Sequence, residues 1–252
     1  MKERKPSGPF FLGIETATDI GSVALFSGSE RIGEINYKKA KSHASLLTPM
    51  VHTLLRDMGL SPGELQAVAV SKGPGSYTGL RVGVSTAKGL CLALGLPLIS
   101  MSSLSALAYQ VKEVAARIDA WICPMIDARR MEVYCSLVDS GMQVKQDIQA
   151  TIIGENSFEK VLSDRKLIFI GDGAAKCEAV LGKHKHALFL PGILSTAASM
   201  GEYIHYAYAQ GIVEDVASFE PFYLKDFVAT TPRNPFEIKK KRRGKATQPS
   251  PE

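Results

Sequence analysis

Residues 71–95, SKGPGSYTGLRVGVSTAKGLCLALG, constrain the fold more than any other stretch. The run AVAV at 67–70 leads into a turn carrying Gly73, Pro74 and Gly75, and Ser76 offers a hydroxyl to cap free N–H groups at a helix start. Helix formers follow until Gly95 and Pro97 stop the run. The pattern is strand, glycine turn, helix. At about 100° per residue, Gly79, Gly83, Thr86, Ala87, Leu90 and Leu94 fall on one stripe. Leu80, Val84 and Cys91 lie beside it, and Val82, Gly89 and Ala93 flank its other side. Only Arg81, Ser85 and Lys88 form a polar strip. An ordinary surface helix needs one apolar stripe of about 100°, whereas this one is apolar over roughly two thirds of its circumference. One side is expected to cover the chain's own sheet. The remainder calls for a second cover, and the Gly79/Gly83 row would let another backbone come close.

A chain of 252 residues suits one large or two modest domains, and 45% hydrophobic content can build their cores. Cys91, Cys123, Cys135 and Cys177 form no CxxC pair and no zinc-like spacing. Cys91 and Cys123 sit in apolar runs and read as small core residues, which suits a reducing cytoplasm. The opening MKERKPSGPFFLGIE has too short an apolar stretch for a signal peptide, and no apolar run reaches membrane-span length, so no membrane association is expected. The formal charge of +5 is uneven. Residues 239–252 hold six Lys/Arg against one Glu, so the rest of the chain is neutral. Any attraction to nucleic acid would come from this tail, and it would be salt-sensitive and blind to sequence.

In chain order, residues 10–16, 22–27 and 31–38 read as three strands with hairpin turns. A helix follows at 42–58, in which Pro49 either kinks the run or marks its true start with Thr48. Then come a strand at 67–71, the helix already described and a short strand at 98–101. This β-β-β-α-β-α-β order recurs imperfectly. A helix at 103–116 precedes strands at 120–127, 132–138 and 144–152, a helix at 155–162, a strand at 166–171, a glycine turn opening a helix at 171–182, and a strand at 187–190. Two similar α/β halves indicate a duplication. A last helix spans 195–210, and the aromatic segment 216–228 is expected to close over the fold as a strap. The expected organisation is a flexible 1–9, an N-terminal subdomain at 10–104 completed by about 195–230, a second subdomain at 105–194, and a disordered basic tail at 231–252.

The search for chemistry turns up little. No P-loop string and no Gly-x-Ser-x-Gly elbow is present. His43 and His52 do not share a helix face, His184 and His186 lie in a Lys/His-rich turn, and His205 is mid-helix, so no metal site is expected. Glu15 and Asp127 each end a strand. Both could face one cleft, or Asp127 could simply pair with Arg129 or Arg130. Gly171-Asp172-Gly173 either approaches a nucleotide or makes a tight turn.

The strings FLGIETAT (11–18), SHASLLTPMV (42–51), VAVSKGPGSYTGLRVGVSTAKGL (68–90), GLPLISMSSL (95–104) and IDARRMEVY (126–134) resemble the TsaB (YeaZ) family of tRNA threonylcarbamoyladenosine biosynthesis. The likeness is strong over about 10–135 and thins afterwards. It implies an actin-like ATPase fold, α/β and duplicated into two related subdomains, and a non-catalytic cytoplasmic partner of TsaD with no cofactor of its own. The metal motif His-x-x-x-His of TsaD would fall here on Ser103 and Leu107, and leucine cannot ligate a metal. Glu15-Thr16 stands where an ATP-using member would carry Asp-x-Gly-Thr, which leaves Glu15, Thr16, Asp127 and Asp172 as remnant phosphate-site candidates.

The family's partner surface uses the first two long helices. Combined with the apolar perimeter, this points to Leu47, Met50, Val51, Leu54, Tyr77, Gly79, Leu80, Gly83, Val84, Ala87 and Leu90 as the contact region, some of which must face the sheet instead. The resemblance implies TsaD as partner, a second copy of the chain when TsaD is absent, TsaE as a third component, and tRNA reached indirectly or touched by the tail. Two other functions compete: an ATP-dependent enzyme of the actin-like superfamily acting alone, and, more weakly, a glycopeptide-cleaving protease.

Overall fold

A computed structural model describes residues 8–38 and 42–225. The first half opens with an antiparallel meander, β1 (Phe10–Glu15), β2 (Ile20–Ser27) and β3 (Glu30–Lys38). Helix α1 (His43–Asp57), β4 (Leu65–Gly73), α2 (Tyr77–Leu94) and β5 (Leu98–Ser102) follow, with β4 parallel to both β1 and β5. The second half has α3 (Ser103–Tyr109), α4 (Lys112–Ile118), β6 (Ala120–Asp127), β7 (Glu132–Val138), β8 (Val144–Ile152), α5 (Glu159–Asp164), β9 (Lys166–Ile170), α6 (Glu178–Leu181) and β10 (Ala187–Phe189). Helix α7 (Gly201–Ala209) comes last.

The strand orders are β3-β2-β1-β4-β5 and β10-β9-β6-β7-β8. Each sheet has its first strand in the middle, a meander on one side and two parallel strands on the other, so the duplication is a matter of topology.

Burial follows the two-residue period of the strands. Leu12, Ile14, Val23, Leu25, Val68 and Val70 point to one face of the first sheet, where they pack on α1 and α2. Phe11, Phe26, Ala67, Ala69 and Ile99 point to the other, where Met200, Ile204 and Ala207 cover them. The C-terminal helix thus completes the first sheet. Helix α3 lies between the halves, with Ala106 on the first sheet's cluster and Leu104 and Leu107 on that of the second. The far face of the second sheet packs on Leu162 and Leu181 of α5 and α6.

Several elements differ from the sequence expectation. Pro49 sits inside an unbroken α1 that begins at His43, because Leu47, Met50, Val51 and Leu54 are all anchored in one core cluster. The helix expected at 103–116 breaks at Gln110, whose N–H and that of Val111 bond back three residues and tighten the turn. The helix at 171–182 shrinks to a 3-10 turn and α6, since Gly171 takes φ +95° and the chain hugs β6. Residues 195–200 do not join α7. Ala197 instead donates its N–H to Ser22 Oγ at 2.9 Å, plugging the segment onto β2.

Over its described part, the aromatic strap is tied to β4 and α2. Phe222 N–H donates to Lys72 O at 2.7 Å, and Lys88 Nζ holds the carbonyls of Ala217 and Phe219 at 3.1 and 2.9 Å. The first seven residues, the end of the strap with Phe227, and the basic tail lie outside the described residues.

Candidate functional site

Two places could act: the outer surface of the α1/α2 pair on the first half, and the cleft between the halves. The helix pair does not divide as the sequence suggests. Leu47, Met50, Val51 and Leu54 on α1 are buried in the chain's own core, as are Gly79, Leu80, Gly83, Val84 and Ala87 on α2. A methyl group at Gly79 would stand 2.0 Å from Thr16 O, and one at Gly83 would stand 2.2 Å from Thr16 Oγ1. The backbone that comes close along this row is therefore the end of β1. Thr16 Oγ1 donates to Gly79 O at 2.8 Å, and Ser76 N–H donates to Ala17 O at 2.6 Å. The strap supplies the second cover. Tyr77 packs at a tilt against Tyr223 with ring centres 4.7 Å apart, Arg81 lies over the Tyr77 ring at 4.4 Å, and Arg81 Nε donates to Tyr223 Oη at 3.3 Å.

What stays open is a groove of about 260 Å³ lined by Thr48, Val51, Thr86, Gly89 and Leu90. Leu92 is 70% exposed on the outer side of α2. A methyl group at Gly89 would meet nothing within 4 Å. Glycine inside a helix costs roughly 1 kcal/mol relative to alanine. Gly79 and Gly83 have an internal reason for that cost, and among the described residues Gly89 has none. The sequence reading puts Gly89 on the flank of the stripe, and only the position of Thr16 separates the three glycines.

The cleft holds about 580 Å³ between the turn after β1, the start of α2, the β6–β7 turn, Asp172 and the strap. The candidate phosphate residues do not converge on it. Glu15 is fully buried behind it, with Oε1 accepting from Ala17 N–H at 2.6 Å. Burial pushes the Glu15 carboxyl up from its ordinary value, against the Ala17 N–H and the hydroxyls of Ser71 and Ser195. Thr16 is committed to Gly79. Of the four candidates, only Asp127 and Asp172 line the cleft, linked by a 3.1 Å bond from Asp127 N–H to Asp172 Oδ1. Asp127 does not pair with Arg129 or Arg130. Its carboxylate is bound by Lys176 and accepts the Arg129 N–H at 2.7 Å. Partial burial would raise Asp127, but these contacts win and lower it, whereas desolvation raises Asp172. Lys176, which also donates to Glu132 O at 2.7 Å, carries no signal in the sequence, because only the fold brings it to the end of β6.

Among the described residues no three His, Cys, Asp or Glu side chains are grouped to hold a metal ion. His43 Nε2 lies 2.9 Å from Thr18 O, and His186 Nδ1 lies 2.8 Å from Leu162 O. Ser103 and Leu107 are fully buried, Ser103 against Ser71 Oγ.

Residues 37–232 match the family model of TsaD, tRNA N6-adenosine threonylcarbamoyltransferase. Over 127 residues the chain is 41% identical to the Bacillus subtilis tRNA threonylcarbamoyladenosine biosynthesis protein TsaB, which covers 50% of this chain and 53% of that one. With the Escherichia coli TsaB it shares 38% over 128 residues, 49% of this chain and 52% of that one. The chain belongs to the TsaB (YeaZ) family. The match spans about half the length of these curated TsaB relatives. YeaZ from Pseudomonas aeruginosa superposes with a TM-score of 0.72 at 24% identity, over 86% of this chain and all of that one. The ethanolamine utilization protein EutJ from Carboxydothermus hydrogenoformans gives 0.50 at 10% identity, over 78% and 91%. The chain thus carries the actin-like ATPase fold. Among the described residues no helix is long and apolar enough to cross a membrane.

Proposed function

We propose that the protein serves threonylcarbamoyladenosine formation on tRNA as a non-catalytic partner of TsaD, docking through the groove between α1 and α2. In this reading the groove around Gly89 receives TsaD in the working complex, or a second copy of the chain without it. TsaE joins the pair, and the protein works in the cytoplasm. The two halves act as subdomains, 10–104 with the C-terminal helix and strap, and 105–194. The observation that carries the reading is Gly89, a mid-helix glycine with open space in front of it beside Leu90, Val51 and Thr86. Nothing among the described residues offsets its helix-weakening effect, so in this reading a close-packed neighbour from another chain accounts for it.

The test is co-elution of purified TsaD with Gly89→Arg. The variant is expected to stay folded, with thermal stability held or raised, and to lose TsaD. Undiminished co-elution would refute the docking site. Gly83→Arg cannot serve as that test, because its side chain would be driven into Thr16.

The cleft favours one second reading, an ATP-dependent enzyme acting alone, because Asp127, Lys176 and Asp172 meet beside the start of α2. Calorimetry with ATP and magnesium separates the two. Tight binding, with turnover lost in Asp127→Asn, would favour the enzyme.

A further inference from the structure

The turn between β6 and β7 holds two arginines in a conformation that disfavours them. Arg129 and Arg130 take φ +75° and +51°. The hairpin closes through Ala128 N–H to Glu132 O and Glu132 N–H to Arg129 O, both at 3.1 Å. Asn-Gly pairs fill such turns readily, whereas a side chain is strained in the left-handed region. Both arginines are exposed. Their acidic neighbours are already engaged, Asp127 by Lys176 and Glu132 by Lys225, and neither arginine forms an ion pair with a described residue. The Arg129 charge helps hold the Asp127 carboxyl low, but among the described residues neither guanidinium on this strained turn is consumed in an ion pair. Strain of this kind points to a function outside the fold.

We propose that this turn contacts the phosphodiester backbone of an RNA strand, with an unstacked base lying against the aromatic wall of the cleft. Guanidinium forks match phosphate oxygens. Arg129 lines the same cleft as Tyr77, Tyr134 and Tyr223. Tyr77 is already flanked by Arg81 and Tyr223, which leaves Tyr134 in the cleft to meet a base; an aromatic surface near a cation suits single-stranded nucleic acid, whereas an acidic peptide would have no use for it. Asp19 and Asp172 also line the cleft, so anions are drawn to the turn and not to the cleft as a whole. The inference rests on the tRNA reading above and adds the surface through which this chain itself would touch RNA.

The experiment compares the full chain with the double variant Arg129→Asn, Arg130→Gly, which places an easier sequence in the turn. Binding of labelled tRNA is followed by fluorescence anisotropy across a salt series, with ATP and polyglutamate as competitors and TsaD co-elution measured alongside. The variant is expected to unfold at a higher temperature and to retain TsaD. It is expected to bind tRNA about tenfold or more weakly, with a salt dependence flatter by about one to two in log–log slope. Arg129→Lys, Arg130→Lys should recover part of the affinity. Equal tRNA binding by wild type and variant, at any strength, overturns the proposal. So does loss of ATP binding with tRNA binding intact, or displacement of tRNA by polyglutamate as effective as by unlabelled RNA. Retained TsaD co-elution in those cases leaves the partner reading standing, so the two failures are distinguishable.

Discussion

Replacing Glu15 by glutamine is expected to stabilise the protein at neutral and alkaline pH. The carboxyl is fully buried at the end of β1. Oε1 accepts from Ala17 N–H, but among the described residues Oε2 has no hydrogen-bond partner, and neither does the buried Ser195 Oγ. Ser195 stands close enough to oppose the upward shift without making a well-formed bond. Burial dominates and favours the neutral acid. The folded protein therefore holds this proton more tightly than the unfolded chain. Stability is greatest below the unfolded value, is lost as pH rises through the folded one, and stays reduced above it. A buried polar group left unsatisfied costs about 1–3 kcal/mol, and more if charged. Glutamine has nearly the same shape, carries no charge, and can offer its amide N–H to Ser195 or Ser71.

At pH 8.5 the gain should be at least about 1 kcal/mol, which for a chain of this size is about 2–4 °C in midpoint per kcal/mol. Near pH 5 the gain should shrink toward zero. Thermal unfolding followed by near-ultraviolet circular dichroism, in matched buffers from pH 5 to 8.5, measures the difference directly. A difference that does not change with pH, or a variant less stable at pH 8.5, would show that Glu15 is ionised and well bonded, and the argument from burial would be wrong.

Four further outcomes follow. Gly83→Ala should destabilise the fold by about 1–3 kcal/mol, because its methyl would overlap Thr16 Oγ1, while Gly89→Ala should stabilise the monomer by up to about 1 kcal/mol; paired denaturant titrations check the contrast. Ser22→Ala orphans the buried Ala197 N–H and should cost about 1–3 kcal/mol, with hydrogen exchange at 197–200 rising ahead of global unfolding. Lys176→Met removes the partner that holds Asp127 low, so a carbon-detected NMR titration should find the Asp127 carboxyl moved up. Tyr223→Ala should loosen the strap from Tyr77 and Arg81 and raise proteolytic cleavage within 216–225 without unfolding the sheets.

Much of the fold was legible because the strands alternate and the glycine turns repeat. Both central strands, β1 and β4, read as apolar runs because both their faces are covered. Boundaries failed where a long-range contact overrode local pattern, as at Ser195–Met200, which β2 captures through Ser22. The candidate site was less legible. Helical spacing puts Gly79 and Gly83 together, but it cannot show that Thr16, more than sixty residues earlier, fills the space in front of them. Likewise the strap that covers Tyr77 and Arg81 is separated from them by about half the chain. The excess apolar perimeter of α2 is real, and most of it is covered from within.

The duplication provides an internal control on what remains. Each sheet has five strands in the same arrangement. Facing the second sheet, the two corresponding helices are only six and four residues long, and Leu162, Leu181 and Cys177 still bury that side. Facing the first sheet they are fifteen and eighteen residues long. If covering a five-stranded sheet were their only task, the short pair shows that far less helix would do. The surplus on the first half lies where Thr48, Gly89 and Leu92 reach the surface. Long helices whose outer faces carry an exposed leucine and an unexplained glycine are what a helix-pair interface with another chain requires, since close packing there depends on small residues flanked by apolar ones. Under the proposed docking, the second half, which shares the topology and lacks the long helices, is the side left out of that contact.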